Sequence, residues 1–285
     1  MTAPVPDAVP AAAPAAPSAP RRFRVQHLRA AKAAHEPLTM LTAYDAPTAR
    51  IFDRAGVDML LVGDSMGDNM LAHENTIPVT VDEVLVSVRA VSRSTQRAMV
   101  IADLPFGSYE ASPEQAHATA VRMLKEGGAH AVKFEGGRRV APQVALLSGA
   151  GIPVVGHLGF TPQSENMLGG KRIQGRGDEA AERLKEDALA LQDAGAVAIV
   201  LEMVPASLAA AITEILSIPT IGIGAGPDCD GQVLVWLDMA GMGDWAPRFA
   251  KQFAQIGRAL GDAAAEYVAQ VRSREFPTAE HSYQD

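Results

Sequence analysis

Cysteine is almost absent: Cys229 stands alone in 285 residues, which excludes an internal disulfide and any four-cysteine metal site. Basic charge is in deficit as well. Lys and Arg number 25 against 33 Asp and Glu, a net charge of −8, which argues against nucleic acid or an anionic membrane surface as the main partner. No apolar run approaches the roughly 18 residues that span a bilayer. There is no HExxH, no CxxC, no close pair of histidines, and no glycine fingerprint after the first apolar run, which ends in AYDA. What remains has the profile of a folded protein with a real core: 48% apolar and 20% charged residues.

Residues 1–20 hold eight Ala and six Pro, which predicts a disordered, partly polyproline-like tail. The tail lacks the basic start and apolar stretch of a secretory signal and has no arginine before Arg21, so a cytoplasmic chain is expected, folding as one domain over 21–285. The length allows two domains of about 150 residues, but one α/β barrel fills about 250.

From residue 38 onward, eight short apolar runs end in glycine or a polar residue: 38–45, 57–64, 98–106, 129–137, 152–159, 196–204, 220–226 and 232–238. They are nearly continuously apolar, as in parallel strands covered on both faces. Amphipathic stretches alternate with them, among them 81–93, one beginning at Pro113 with Ser112 as N-cap, 178–194 stopping at Gly195, 205–216 and 249–272. The alternation predicts a (β/α)₈ barrel, with a doubly wound open sheet as the alternative.

In a barrel, polar residues at the C-terminal strand ends line the active-site mouth. Here they read Asp45, Asp64, Asp103, Lys133 with Glu135, His157, Glu202 and Asp238. So many acids at buried positions with one lysine suggest a shared cation. Carboxylate donors favour Mg²⁺, then Mn²⁺, over Zn²⁺. Asp64 in LLVGDS and Asp103 in VIADLPF are the first candidates; the alternative is that each caps the following segment. Glu202 interrupts the apolar run AIVLEMV, the kind of setting that tunes a general base; alternatively it pairs with an Arg or Lys. Lys133 is either a Schiff-base nucleophile or a fixed charge for a carboxylate; Glu135, two residues on, shares its face and favours the charge. His157 alone reads more readily as structural. GIGAG at 222–226 reads as a turn before a phosphate cradle, and the glycine-rich basic stretch 168–178 as a mobile loop.

In order, LTAYDAPTAR, VGDSMG, ENTIPVTVDE, ADLPFGSY, VKFEGG, GHLGFTPQS, GGKRIQGRG, LEMVP, IGIGAG and DGQVLVWLD resemble the 3-methyl-2-oxobutanoate hydroxymethyltransferase (ketopantoate hydroxymethyltransferase) family, from about Arg21 to residue 282. The resemblance implies a Mg²⁺-dependent barrel of the phosphoenolpyruvate/pyruvate superfamily. It implies transfer of a one-carbon unit from 5,10-methylenetetrahydrofolate to 3-methyl-2-oxobutanoate, giving 2-dehydropantoate for pantothenate synthesis. It implies metal binding by Asp64, Asp103 and Glu135, substrate binding by Asp64, Ser65, Asp103 and Lys133, Glu202 as proton acceptor, and a homodecamer. Ala72, His73 and Glu74 stand where many members have Gly, Tyr and Asp. Lyase and mutase relatives usually carry a catalytic cysteine loop of K-x-C-G-H type, which this chain lacks. A Schiff-base aldolase and a non-catalytic metabolite-binding barrel are the other readings.

Overall fold

The computed structural model describes residues 21–284; the tail over 1–20 lies outside the described residues. Each apolar run falls on one strand: β1 (Leu38–Thr42), β2 (Met59–Val62), β3 (Met99–Asp103), β4 (Ala131–Glu135), β5 (Val154–Gly159), β6 (Ala198–Glu202), β7 (Thr220–Ile223) and β8 (Gly231–Leu234). All pair in parallel in sequence order and β8 closes onto β1, so the sheet is a closed eight-stranded barrel, not an open one.

Around it lie helices α1 (Val25–Ala34), α2 (Ala46–Ala55), α3 (Met66–Asn69), α4 (Val81–Ser94), α5 (Pro113–Lys125), α6 (Ala141–Gly149), α7 (Glu165–Leu168), α8 (Asp178–Asp193), α9 (Ala206–Ile215), α10 (Trp236–Ala240) and α11 (Ile256–Ser273). Local chemistry starts several of them. Thr80 and Glu83 form a reciprocal capping box on α4, and the Ser112 side chain accepts from Gln115 N before Pro113 opens α5. Among the described residues no helix is long and apolar enough to cross a membrane.

Period-two alternation splits the core into two layers. Met40, Leu61, Ile101, Ala131, Val155, Val200, Ile221 and Val233 fill the barrel interior, and Leu28 and Ala31 of α1 join them, plugging its N-terminal end. The intervening residues, such as Leu60, Ala102, Val132, Phe134 and Leu201, face outward against Val84, Val88, Ala116, Leu191 and Ile212 of the helices. Full burial of a side chain of this size is worth about 1.5–3 kcal/mol.

Three expectations need correction. No helix joins β7 to β8: residues 224–230 run straight back, with Gly224 (φ 61°) and Gly226 (φ 85°) in left-handed turns. The last helix starts at Ile256, not 249, and buries no residue against the barrel. β8 ends at Leu234, so Asp238 sits within α10 and not at a strand end.

Candidate active site

The polar interruptions of the strands share the inward parity. Two residues beyond the interior positions Ile101, Ala131, Val155 and Val200 come Asp103, Lys133, His157 and Glu202, and Glu135 stands one step above Lys133. Together with Asp64 and Ser65 they line one small cavity at the C-terminal mouth. A larger cavity of about 460 Å³ opens at the other end, between the last turns of α1 and α9, and none of these residues lines it.

Asp103 and Lys133 are register partners on β3 and β4, and Lys133 Nζ lies 2.7 Å from Asp103 Oδ1. The sequence pointed to Glu135 as the lysine's partner; the direct contact is across strands. Neighbouring strands run about 4.8 Å apart, whereas two residues along one strand are separated by about 6.6 Å. Glu135 pairs in register with His157, whose Nδ1 lies 3.3 Å from Glu135 Oε1 and 3.3 Å from Lys133 Nζ. The far side of the same ring, Nε2, is 3.3 Å from Glu202 Oε2. Glu202 therefore has a histidine as its neighbour, not the Arg or Lys considered from sequence, and His157 is an integral part of the mouth.

Two glycines make room. A side chain at Gly63 would collide with Asp103 Oδ2, and one at Gly159 (φ 94°) with the backbone carbonyl of Glu202.

Charge in this cluster is one-sided. Burial pushes the Asp64 carboxyl well above its ordinary range, and the Asp103 and Glu135 carboxylates push it further. Burial also raises Asp103, opposed by Lys133. For Lys133, burial favours the neutral amine, but Asp103, Glu135 and Asp64 outweigh it and raise its pKa, so the ammonium stays charged. His157 is lowered by burial and Lys133 and raised more by Glu135 and Glu202, to about 9. A permanently protonated lysine is a poor Schiff-base nucleophile and a good fixed charge.

The donor set fits a hard divalent cation. Asp103 Oδ1 is paired with Lys133 Nζ at 2.7 Å, while its Oδ2 occupies the room over Gly63, which lets that carboxylate stand beside Asp64. Among the described residues no three His, Cys, Asp or Glu side chains are gathered tightly enough to hold an ion by themselves. Mg²⁺ characteristically takes one or two carboxylates and completes its shell with water and substrate oxygens. Glu135, the third acid implied by resemblance, has Oε1 against His157 and Oε2 accepting from Gln163 N at 3.1 Å.

Other residues fall differently from expectation. Asp45 caps α2, accepting from Thr48 N at 2.9 Å, which is the capping alternative. Gln163, Tyr109 and Tyr44 are buried site residues that the sequence reading passed over. Gln163 donates to Asp64 Oδ2 at 2.7 Å, Tyr109 OH donates to Gln163 Oε1 at 2.7 Å, and Tyr44 OH lies 2.8 Å from Ser65 Oγ. Their only sequence signal is membership in the runs LTAYD, ADLPFGSY and GFTPQS just after strands. The basic loop is tied to the mouth: Gln174 N donates to Met203 O, next to Glu202, and Lys171 reaches within 3.8 Å of Asp68.

The model of the family described as ketopantoate hydroxymethyltransferase matches residues 22–279. The chain belongs to this family. The 3-methyl-2-oxobutanoate hydroxymethyltransferase of Saccharopolyspora erythraea is 59% identical, covering 94% of this chain and 92% of that protein. That of Frankia alni is 60% identical over 95% and 90%. Family membership makes the chain an enzyme, a hydroxymethyltransferase. Among solved structures, phosphonopyruvate hydrolase complexed with oxalate and Mg²⁺ superposes with a TM-score of 0.60 at 15% identity, covering 90% of this chain and 92% of that one. 2,3-Dimethylmalate lyase, a member of the PEP mutase/isocitrate lyase superfamily, superposes at 0.55 and 17% identity, covering 91% of each. At these identities the likeness is one of fold.

Proposed function

We propose that the enzyme transfers a hydroxymethyl group from 5,10-methylenetetrahydrofolate to 3-methyl-2-oxobutanoate, forming 2-dehydropantoate with the help of Mg²⁺. The observation that carries this reading is the buried surplus of carboxylate around one ammonium, with Glu202 across the same mouth. Asp64 and Asp103 would hold the ion, with Glu135 behind them. When bound, the ion supplies Lewis acidity that makes the C3 proton of the keto acid more acidic.

Glu202 takes that proton, and His157 orients the Glu202 carboxylate from 3.3 Å. Lys133 offers a fixed positive charge to the substrate carboxylate or to the oxyanion that develops. Ser65, held by Tyr44, is available to the same acid. The carbanionic C3 then attacks the folate methylene. One C–C bond forms, the methylene–nitrogen bonds break, and water supplies the hydroxyl as tetrahydrofolate leaves. Self-association belongs to the same reading. The face of α11 carrying Ile256, Leu260, Tyr267 and Val271, each 43–60% exposed, supports a further copy as its cover.

The test is hydrogen exchange at C3 of 3-methyl-2-oxobutanoate in D₂O before any folate is added. Exchange that requires both the enzyme and Mg²⁺, and that falls in Glu202→Gln, is the expected result. Exchange indifferent to Mg²⁺, or none at all, overturns the reading.

A further inference from the structure

Gln163 is buried in the turn after β5, and every polar atom of its amide is engaged. Nε2 donates to Asp64 Oδ2 at 2.7 Å and to Leu104 O at 3.1 Å, and Oε1 accepts from Tyr109 OH at 2.7 Å. Its backbone N–H donates to Glu135 Oε2 at 3.1 Å. Tyr109 OH accepts from Glu135 N at 3.2 Å and also lies 3.2 Å from Glu135 O, but the 2.7 Å contact to Gln163 Oε1 is the shorter of the two its single proton can serve. These partners fix the orientation of the amide. Flipped, its oxygen would face the Asp64 carboxylate and the Leu104 carbonyl, with no proton between them. One residue thus ties together the segments following β2 and β3 and the last residue of β4.

We propose that Gln163 is a positioning residue for the divalent cation. It pins Asp64 by Oδ2 and Glu135 by Oε2, and so leaves Oδ1 of Asp64, which lines the cavity, as the oxygen that would meet an ion. The proposal rests on the reading of Asp64 as a cation donor. The choice of an amide has a physical logic. Lys133 already sets one positive charge against Asp103, and a second one from an Arg or Lys on Asp64 would offset the remaining carboxylate charge that the cation needs. A neutral donor orients the carboxylate without that penalty. Tyr109 acts one step further back, by fixing which end of the amide faces Asp64.

The test is Mn²⁺ binding, followed by the EPR signal of free Mn²⁺, on the full chain with and without 3-methyl-2-oxobutanoate. Removing an orienting partner of a ligand typically weakens metal binding about 10–100-fold, and that loss is expected for Gln163→Leu. Saturating Mn²⁺ should restore most of its turnover, which a collapsed site would not allow. Tyr109→Phe should weaken binding less, and the double variant should bind no more weakly than Gln163→Leu alone, because Tyr109 works through Gln163. Unchanged affinity in Gln163→Leu overturns the positioning role, and additive losses overturn the Tyr109 relay. If Gln163→Leu fails to fold, Tyr109→Phe decides, with unchanged affinity again overturning the proposal. Failure of the unmodified enzyme to bind Mn²⁺ would instead sink the reading of Asp64 on which it rests.

Discussion

Replacing Lys133 by methionine isolates the electrostatics of the site. The ammonium is buried, lies 2.7 Å from Asp103, and faces three carboxylates. Methionine keeps the unbranched shape, one heavy atom shorter, and removes the charge. Breaking a buried pair by deleting one partner typically costs about 3–5 kcal/mol, because the other charge is left uncompensated. For a chain of this size that is a fall of roughly 10 °C in the thermal midpoint, read by scanning calorimetry at pH 8 in EDTA so that no cation substitutes for the lysine. The sign with pH follows from linkage. Without Lys133 the Asp103 carboxyl rises further above its unfolded value, so the folded variant binds more protons than the unfolded chain. Its stability therefore increases as pH falls. The gap to wild type should narrow as pH falls, by at most about 1.4 kcal/mol per pH unit for each proton the folded variant takes up. Mg²⁺ added at pH 8 should recover part of the loss, since it supplies positive charge at the same carboxylates. A gap that stays constant or widens toward pH 6, or a variant as stable as wild type, would refute the assignment of Lys133 as the balancing charge.

Three other outcomes follow from the structure. Glu202→Gln should lose about 10²–10⁴ in turnover while still binding the keto acid, measured by steady-state rate and calorimetric titration, and normal turnover would remove Glu202 from the mechanism. His130, whose Nδ1 accepts from Val100 N, is held down to about 4 by burial, with Arg22 and Arg24 adding to it. The unfolded imidazole takes a proton near 6.5 and the folded one does not, so stability present above pH 6.5 is lost as pH falls from there toward 4. His130→Asn, which keeps an acceptor for Val100, should lose less stability than wild type between pH 7.5 and pH 5 in denaturant titrations; equal losses would exclude His130 as the source. On α11, Leu260→Glu with Tyr267→Glu should reduce the sedimentation coefficient by separating copies, and an unchanged value would mean that this face is not where they meet.

Most of the site was legible because a charge inside an apolar strand is conspicuous. Asp103, Lys133 with Glu135, and Glu202 each interrupt a run that otherwise satisfies both faces of a parallel sheet. Strand boundaries were harder to read. Asp45 and Asp238 also follow apolar runs, yet one caps a helix and the other lies within one, and sequence does not separate a strand end from the first turn after it. Gln163 and Tyr109 were illegible for a different reason. Polar side chains in loops are ordinary, and only burial distinguishes one that holds a carboxylate from one that meets water. The lack of packing under α11 was hidden too, because its helical periodicity is the same whether its apolar face meets this barrel or another molecule.

Register converts those scattered residues into one site. The β3–β4 pairing sets Asp103 opposite Lys133, the β4–β5 pairing sets Glu135 opposite His157, and the β5–β6 pairing sets Gly159 opposite Glu202. The candidate side chains therefore occupy three successive inward levels around the mouth, Asp103 with Lys133, then Glu135 with His157, then Glu202. A slip of one residue in any of these pairs would turn a charge into the apolar layer between strands and helices, where Phe134 and Leu201 now pack, and would expel a hydrophobic side chain into the mouth. Both errors carry a desolvation cost, so the apolar pattern that folds the barrel also enforces the placement of its acids. Gly63 adds a condition that the apolar pattern cannot supply. It is the inward residue of the segment after β2, and only without a side chain there can Asp103 stand beside Asp64. Gly63→Ala should therefore disturb cation binding while leaving the barrel folded, because the added methyl meets a carboxylate and not the core.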